Sequence, residues 1–259
     1  MILKDKVAII TGAGRGLGRA SAIEMAKEGA SLVILSRTSK ELDNTAEKIT
    51  KTGGKVITLK ADVSRNKDIE NTVDKAISTF GKIDILLNNA AILGPVKPLY
   101  KIDEKDWNNL IEINLKGVFL FSKAITPIMV QQKSGKIINV TSNLGLKGLP
   151  FFSGYSVAKA GIIHLTKILA EELKDFNIQV NGLDPGGMDT ALQAEIRMLG
   201  SDILGRKIYN YFCSLKDGNL LTTPQKAAKL AVFLASDASN MITGKNGTES
   251  DYFSFGYRG

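Results

Sequence analysis

Cysteine and histidine are nearly missing from these 259 residues: Cys213 and His164 are the only examples of each. A single thiol excludes an intrachain disulfide framework and a cysteine-based zinc site. A cysteine nucleophile would want a basic partner, and only His164 is available; a half-buried thiol and a helical histidine are the plainer account. Proline is sparse, with six residues, and no Pro/Gly/Ser-rich linker, repeat or low-complexity block divides the chain. One domain over residues 1–259 is the expectation. No apolar run approaches the roughly 18 residues that span a bilayer. Residues 1–6 lead straight into a strand-like run, without a signal-peptide h-region or small-residue cleavage site. These absences predict no membrane partner and a cytoplasmic location. Negative charge is the minority: 34 Lys and Arg stand against 26 Asp and Glu, a net charge of +8. The lysines are scattered, and no zinc-finger or RNP-type pattern accompanies them. Nucleic acid is therefore not an expected partner, and a basic surface with a few positions serving a phosphate-rich ligand is.

Short β-branched runs alternate with longer amphipathic stretches. The spacing predicts strands at 7–10, 32–35, 56–59, 85–87, 136–140 and 178–181. Helices are expected over 17–28, 39–52, 66–80, 104–132 and 155–175, the first three stopped by Gly29, Gly53-Gly54 and Gly81. Continuous apolar strands separated by helices indicate a parallel sheet buried on both faces. The fold class is α/β, a Rossmann-type doubly wound sheet in three layers, with ligands bound beyond the carboxyl ends of the strands. Residues 188–220 are expected to form a lid. Their apolar side chains, from Met188 to Phe212, are either core or pocket lining. Arg197, Arg206 and Lys207 are either a solvated face or a site for an acidic group.

The first strand runs into Thr11-Gly12-Ala13-Gly14-Arg15-Gly16-Leu17-Gly18. A glycine-rich turn opening a helix makes an anion site, because backbone can approach a pyrophosphate and the helix dipole favours negative charge. Leu17 breaks a GxGxxG pattern; Gly12, Gly16 and Gly18 give a TGxxxGxG spacing instead. At the end of the second strand stand Ser36 and Arg37. An acidic residue there would bind ribose hydroxyls and repel a 2′-phosphate. Ser36 does not repel it, and Arg37 can grip it through a planar fork, with Arg15 in reach. NADP(H) is the expected cofactor, ahead of NAD(H). Asp62-Val63, after the third strand, reads as an adenine contact or as a turn cap.

Tyr155-Ser156-Val157-Ala158-Lys159 opens a predicted helix. Residues four apart share a helix face. Lys159 is thus expected to approach the Tyr155 phenol and lower its pKa towards the range useful for proton transfer. Ser142 lies at a strand end on the ligand-binding rim. Its hydroxyl either bonds a substrate oxygen or caps a turn. Asn114 interrupts a helix, which its propensity disfavours. It is either a solvated side chain or the holder of a water leading to Lys159.

TGAGRGLG, Asp62-Val63, Asn88-Asn89-Ala90-Ala91, Asn114, Ser142, YSVAK and Pro185-Gly186-Gly187-Met188-Asp189-Thr190 occur in one order and spacing. Together they resemble the short-chain dehydrogenase/reductase family, in its shorter branch, from Val7 to about Gly244. The resemblance implies hydride transfer between NADP(H) and a carbonyl or secondary alcohol. Asn114, Ser142, Tyr155 and Lys159 would form the catalytic tetrad. Tyr155 would give the proton, Ser142 would orient the oxygen, Lys159 would hold the nicotinamide ribose, and Asn114 would hold a relay water. Thr190 would meet the nicotinamide carboxamide, with Asn88, Asn89, Ala90, Pro185 and Gly186 lining the cofactor cleft. The resemblance also implies a small-molecule partner, no metal, and a homo-oligomer, tetramer or dimer. Substrates in such a family include 3-oxoacyl thioesters, sugars or polyols, steroids and small ketones. Rival readings are an NAD-dependent alcohol or sugar dehydrogenase of the same family and a non-catalytic dinucleotide sensor. An epimerase or dehydratase would want a longer C-terminal region. The chain departs from the pattern at Ala91, where glycine is usual, and over an atypical tail, 245–259. Its aromatics Tyr252, Phe253, Phe255 and Tyr257 are expected to dock, at a subunit interface or over a neighbouring cleft.

Overall fold

β-Branched and leucine runs that cannot stay in water form the strands β1 (Val7–Thr11), β2 (Ser31–Ser36), β3 (Val56–Lys60), β4 (Ile85–Asn88), β5 (Gly135–Val140) and β6 (Ile178–Leu183), joined by a two-residue β7 (Asn246–Gly247). The computed structural model describes all 259 residues. All pairings are parallel, in the order β3-β2-β1-β4-β5-β6-β7. Successive residues point to opposite faces. Ala8, Ile10, Leu32, Ile34, Ile85 and Leu87 therefore share one core. Ile9, Val33, Leu35, Leu86, Ile137 and Val180 share the other. Each fully buried Ile or Leu contributes about 1.5–3 kcal/mol relative to exposure, so neither face tolerates a register slip.

The first core is covered by α1 (Gly16–Lys27), α2 (Ser39–Thr50) and α9 (Pro224–Ala235), the second by α3 (Asn66–Phe80), α5 (Gly117–Gln132) and α6 (Ser153–Leu173). Helix starts and stops follow local chemistry. Thr223 accepts the Lys226 N–H ahead of Pro224, and Gly81 ends α3 at φ 78°. The chain turns back at β1, which lies between β2 and β4, so a crevice opens beyond their carboxyl ends.

The expected helix over 104–132 is continuous but not uniform. α4 (Glu104–Ile111) passes through a π-helical turn (Glu112–Lys116) into α5. The whole stretch, 29 residues with a mean hydropathy of 1.3 over its most apolar window, is long and apolar enough to cross a membrane. It qualifies by length and composition only, its apolar residues being interrupted rather than consecutive. Here Phe121, Ile125 and Met129 pack on the sheet.

Residues 191–217 form α7 (Ala191–Met198) and α8 (Gly200–Asp217). α8 breaks at Gly205, whose φ of 71° and ψ of 150° are non-helical. Ile196, Leu204 and Phe212 from this pair pack with Leu93, Val96 and Phe152 in a third, smaller core. The tail divides. Tyr252 and Tyr257 are buried in their own chain, the first donating to Gly182 O at 2.7 Å and the second packing on Phe233. Only Phe253 and Phe255 are left exposed. Docking is thus intramolecular for two of the four aromatics, because the tail closes over the short β7 edge.

Candidate active site

The turn after β1 is held from three sides. Thr11 Oγ1 accepts the N–H groups of Asn89 and Ala90 at 2.9 Å each. Asn89 Nδ2 returns bonds to Thr11 O at 2.9 Å and Gly12 O at 3.2 Å. Arg19 donates to Gly14 O, and Thr45 Oγ1 to Ala13 O at 3.1 Å. Glycine is required where these strands of contact converge. A Cβ on Gly12, at φ 66°, would stand 2.9 Å from Ala90 Cα, and one on Gly18 would collide with Gly12 O. α1 starts at Gly16 without a side-chain cap on Arg15, so its first N–H groups are open to an anion. A cleft of about 1320 Å³ opens here. It is lined by Gly12, Arg15, Gly16, Leu17, Ser36, Arg37, Asp62, Val63, Asn89 and Ala90, and by Ser142, Tyr155, Lys159, Pro185, Gly186 and Thr190 across the sheet.

One side chain departs from the expectation, and others in the cleft are already engaged. Asn88 does not line the cleft: it is buried, donating to Asn139 Oδ1 at 2.9 Å, because an inward position on a four-residue strand points between β4 and β5. Asp62 makes the cap, with Oδ1 accepting the Ser64 N–H at 3.0 Å and the Ser64 hydroxyl at 2.7 Å. Burial works to raise its carboxyl, but those bonds, with Arg37 and Arg65 nearby, hold it below the usual range. Ser36 Oγ is engaged with Thr38. Arg15 is exposed and 3.9 Å from Glu195 across the cleft mouth. Glu41 of α2 was not anticipated. A Cβ on Gly14 would lie 2.9 Å from its Oε2 and 3.1 Å from Ser36 Oγ. No strand-end rule finds it, since it reaches the cleft from the first turn of a helix.

Ser142 follows β5 in extended backbone, and its Oγ accepts the Leu144 N–H at 3.2 Å, so it is a turn cap that also faces the cleft. Tyr155 and Lys159 lie one turn apart on α6, Lys159 Nζ standing 5.6 Å from the Tyr155 ring centre. The buried Lys159 ammonium donates to Val140 O at 2.6 Å. Burial, followed by the charge of Asp184, pushes Tyr155 up to about 12, against a smaller opposing effect of Ser142. Burial lowers Lys159 to about 8, with Asp184 resisting. Asn114 lies behind the cleft wall in the π-helical turn. Its Oδ1 accepts the Ile92 N–H at 2.9 Å and its Nδ2 donates to Ile92 O at 2.8 Å. The widened turn aims the amide at the loop after β4, so the side chain is a clamp on that loop rather than a solvated group.

The lid side is apolar near the phenol. Leu93, Leu144, Leu149, Leu192, Ile196 and Phe212 line it. Lys216 bonds Asp189 at 2.6 Å at the base of α8. Arg206 and Lys207 are exposed, whereas Arg197 donates to Gln193 at 3.2 Å.

A glycine turn at the switch point, facing a tyrosine, serine and lysine on the neighbouring strand and helix, defines a nucleotide-dependent oxidoreductase site. The short chain dehydrogenase family model matches residues 6–198. A 3-oxoacyl-[acyl-carrier-protein] reductase of Thermotoga maritima is 34% identical over 245 residues, 95% of this chain and 96% of that protein. Levodione reductase superposes with a TM-score of 0.88 at 31% identity, covering 98% of this chain and all of the other. NAD+-bound xylitol dehydrogenase superposes at 0.89 and 28% identity, covering 96% and 98%. The chain belongs to the short-chain dehydrogenase family and is an oxidoreductase. That family binds a nicotinamide dinucleotide and acts on small molecules.

Proposed function

We propose that this protein reduces a partly apolar ketone or 3-oxoacyl substrate with NADPH. The observation that carries the reading is the meeting of Ser142, Tyr155 and Lys159 with the uncapped α1 turn across one cleft. The residues fit the dinucleotide. The open N–H groups at Gly16 to Gly18 take the pyrophosphate, and Arg15 and Arg37 the 2′-phosphate. Asp62 and Val63 border the adenine, Asn89 and Ala90 form the wall opposite, and Pro185, Gly186 and Thr190 border the nicotinamide. Bound there, the nicotinamide supplies the hydride.

Tyr155 is held as the neutral phenol at neutral pH, the form that donates a proton to a carbonyl oxygen. Ser142 offers a second hydroxyl to the same oxygen. Lys159 has a charge to place on the ribose and Val140 O to hold it meanwhile. Asn114 fixes the loop at Ile92. The α7–α8 pair acts as a lid whose apolar residues exclude water. A 3-oxoacyl chain and levodione, the substrates named for two of the relatives, suit this lining. A homo-oligomer, dimer or tetramer, is part of the reading.

A second reading, NAD(H), is favoured by the Glu41 carboxylate beside Ser36 and by the nucleotide named in the xylitol dehydrogenase structure. Nicotinamide fluorescence titration with NADPH and NADH separates the two. Tighter NADPH binding, lost in Arg37→Asp and strengthened in Glu41→Gln, is the expected outcome; tighter NADH binding establishes the second reading. Turnover is then measured with acetoacetyl-CoA, levodione and xylulose. Tyr155→Phe keeps nucleotide affinity and loses at least about a hundredfold in kcat, the usual scale of acid catalysis. Near wild-type turnover in that variant would refute the mechanism.

A further inference from the structure

One buried ionisable group in the cleft has so far entered only through its charge on Tyr155 and Lys159. Asp184 follows β6 and is only 5% exposed. Its N–H donates to Gly247 O at 2.8 Å, which ties it to the tail strand. Its Oδ1 accepts the Gly186 N–H at 2.9 Å. The Asn143 N–H also points to its carboxylate. The side chain therefore joins the loop that carries Ser142 to the Pro185-Gly186 turn. An asparagine oxygen could accept the same bonds. Burial pushes the Asp184 carboxyl above its usual range, and the Gly186 and Asn143 N–H groups and the Lys159 charge work the other way, towards the carboxylate; such a buried carboxylate is costly unless a cation offsets it. Lys159 is the cation whose charge bears on Asp184, and Asp184 is the charged group that bears on Lys159. The two line the same cleft.

We propose that Asp184 is a positioning residue: it holds the Ser142 loop against the Pro185-Gly186 turn and supplies the counter-charge that keeps the Lys159 ammonium in the cleft. The inference rests on the proposed role of Lys159 in holding the nucleotide. Two further titratable groups bear on Asp184. Tyr155 of α6 shares its neighbourhood, and Asp251 of the tail lies beyond it with Lys245 near that carboxylate. Removing the Asp184 charge lowers the pKa of both Lys159 and Tyr155, because each is raised by it.

The test needs no substrate. NADPH and NADH affinities are measured by nicotinamide fluorescence from pH 7 to 10, above the titration of a phosphate near pH 6. Wild-type affinity should weaken several-fold as pH rises through about 8, where Lys159 loses its proton and its charge-assisted bond. In Asp184→Asn the midpoint should move to lower pH, by on the order of half to one unit. Asp184→Ser, which keeps a hydroxyl acceptor, should move it the same way and serves if the first variant folds poorly. Lys159→Met should be flat. An unmoved midpoint in either folded variant overturns the proposal, as does a wild-type profile as flat as that of Lys159→Met. Failure of both nucleotides to bind overturns instead the reading beneath it, and tighter NADH binding changes only the cofactor.

Discussion

Replacing Thr11 by valine removes one hydroxyl and almost no volume. The side chain is 2% exposed, so water does not replace what is lost. Two N–H groups, of Asn89 and Ala90, lose their acceptor, both now at 2.9 Å, and a long 3.4 Å bond to Leu87 O disappears. Leaving a buried donor unsatisfied costs about 1–3 kcal/mol. Two such donors, less the desolvation that valine avoids, give roughly 2–4 kcal/mol. For a chain of this size each kcal/mol moves Tm by roughly 2–4 °C, so a fall of about 4–16 °C is expected. Differential scanning calorimetry reads it, with Thr50→Val as control. That hydroxyl sits on the exposed face of α2, bonding Ala46 O at 3.0 Å, and its loss should stay within about 0.5 kcal/mol. Nucleotide affinity should fall in Thr11→Val too, since the bonds removed lock the β1 and β4 turns together. A Tm within about 2 °C of wild type and an unchanged affinity would refute the reasoning.

Stopped-flow rates against pH should show reduction on a plateau below pH 8 and falling above it, as Lys159 loses its proton at about 8 while Tyr155 stays protonated to about 12. Oxidation, which needs the phenolate, should still be rising at the alkaline limit of stability. Lys136 is buried with only Ser239 and Asn240 as partners, and burial lowers it to about 8. A lysine depressed on folding destabilises fully below its folded pKa and less as pH climbs towards its unfolded value. Lys136→Met should therefore be more stable than wild type in urea at pH 7, with the gain shrinking by pH 9.5; a gain that grows with pH would contradict this. Gly205→Ala forces a side chain into φ 71°, ψ 150°, a region essentially restricted to glycine, at roughly 1–3 kcal/mol. It should raise ketone KM and leave nucleotide affinity alone, as steady-state and binding measurements together would show.

Much of this protein was legible in its chain order. Six of seven strands and the parallel sheet follow from β-branched runs too apolar to face water on either side. The glycine turn, Ser142, Tyr155 and Lys159 carry local signals of strand end and helix spacing, and they do line one cleft. β7 was not legible, because two residues make no pattern and its place depends on pairing with β6. Membership of the cleft for Glu41 and Asp184 depends on which elements the sheet order brings together. So does the orientation of Asn88 and Asn114, whose amides serve Asn139 and Ile92, 51 and 22 residues away. Sequence also placed Lys159 beside Tyr155 but not its proton affinity, which turns on burial and on Asp184 from the loop after β6. Periodicity and caps are set by neighbours within a few residues and can be read along the chain. Burial, charge pairing and the choice of hydrogen-bond partner are properties of segments distant in sequence, and only the folded register decided them.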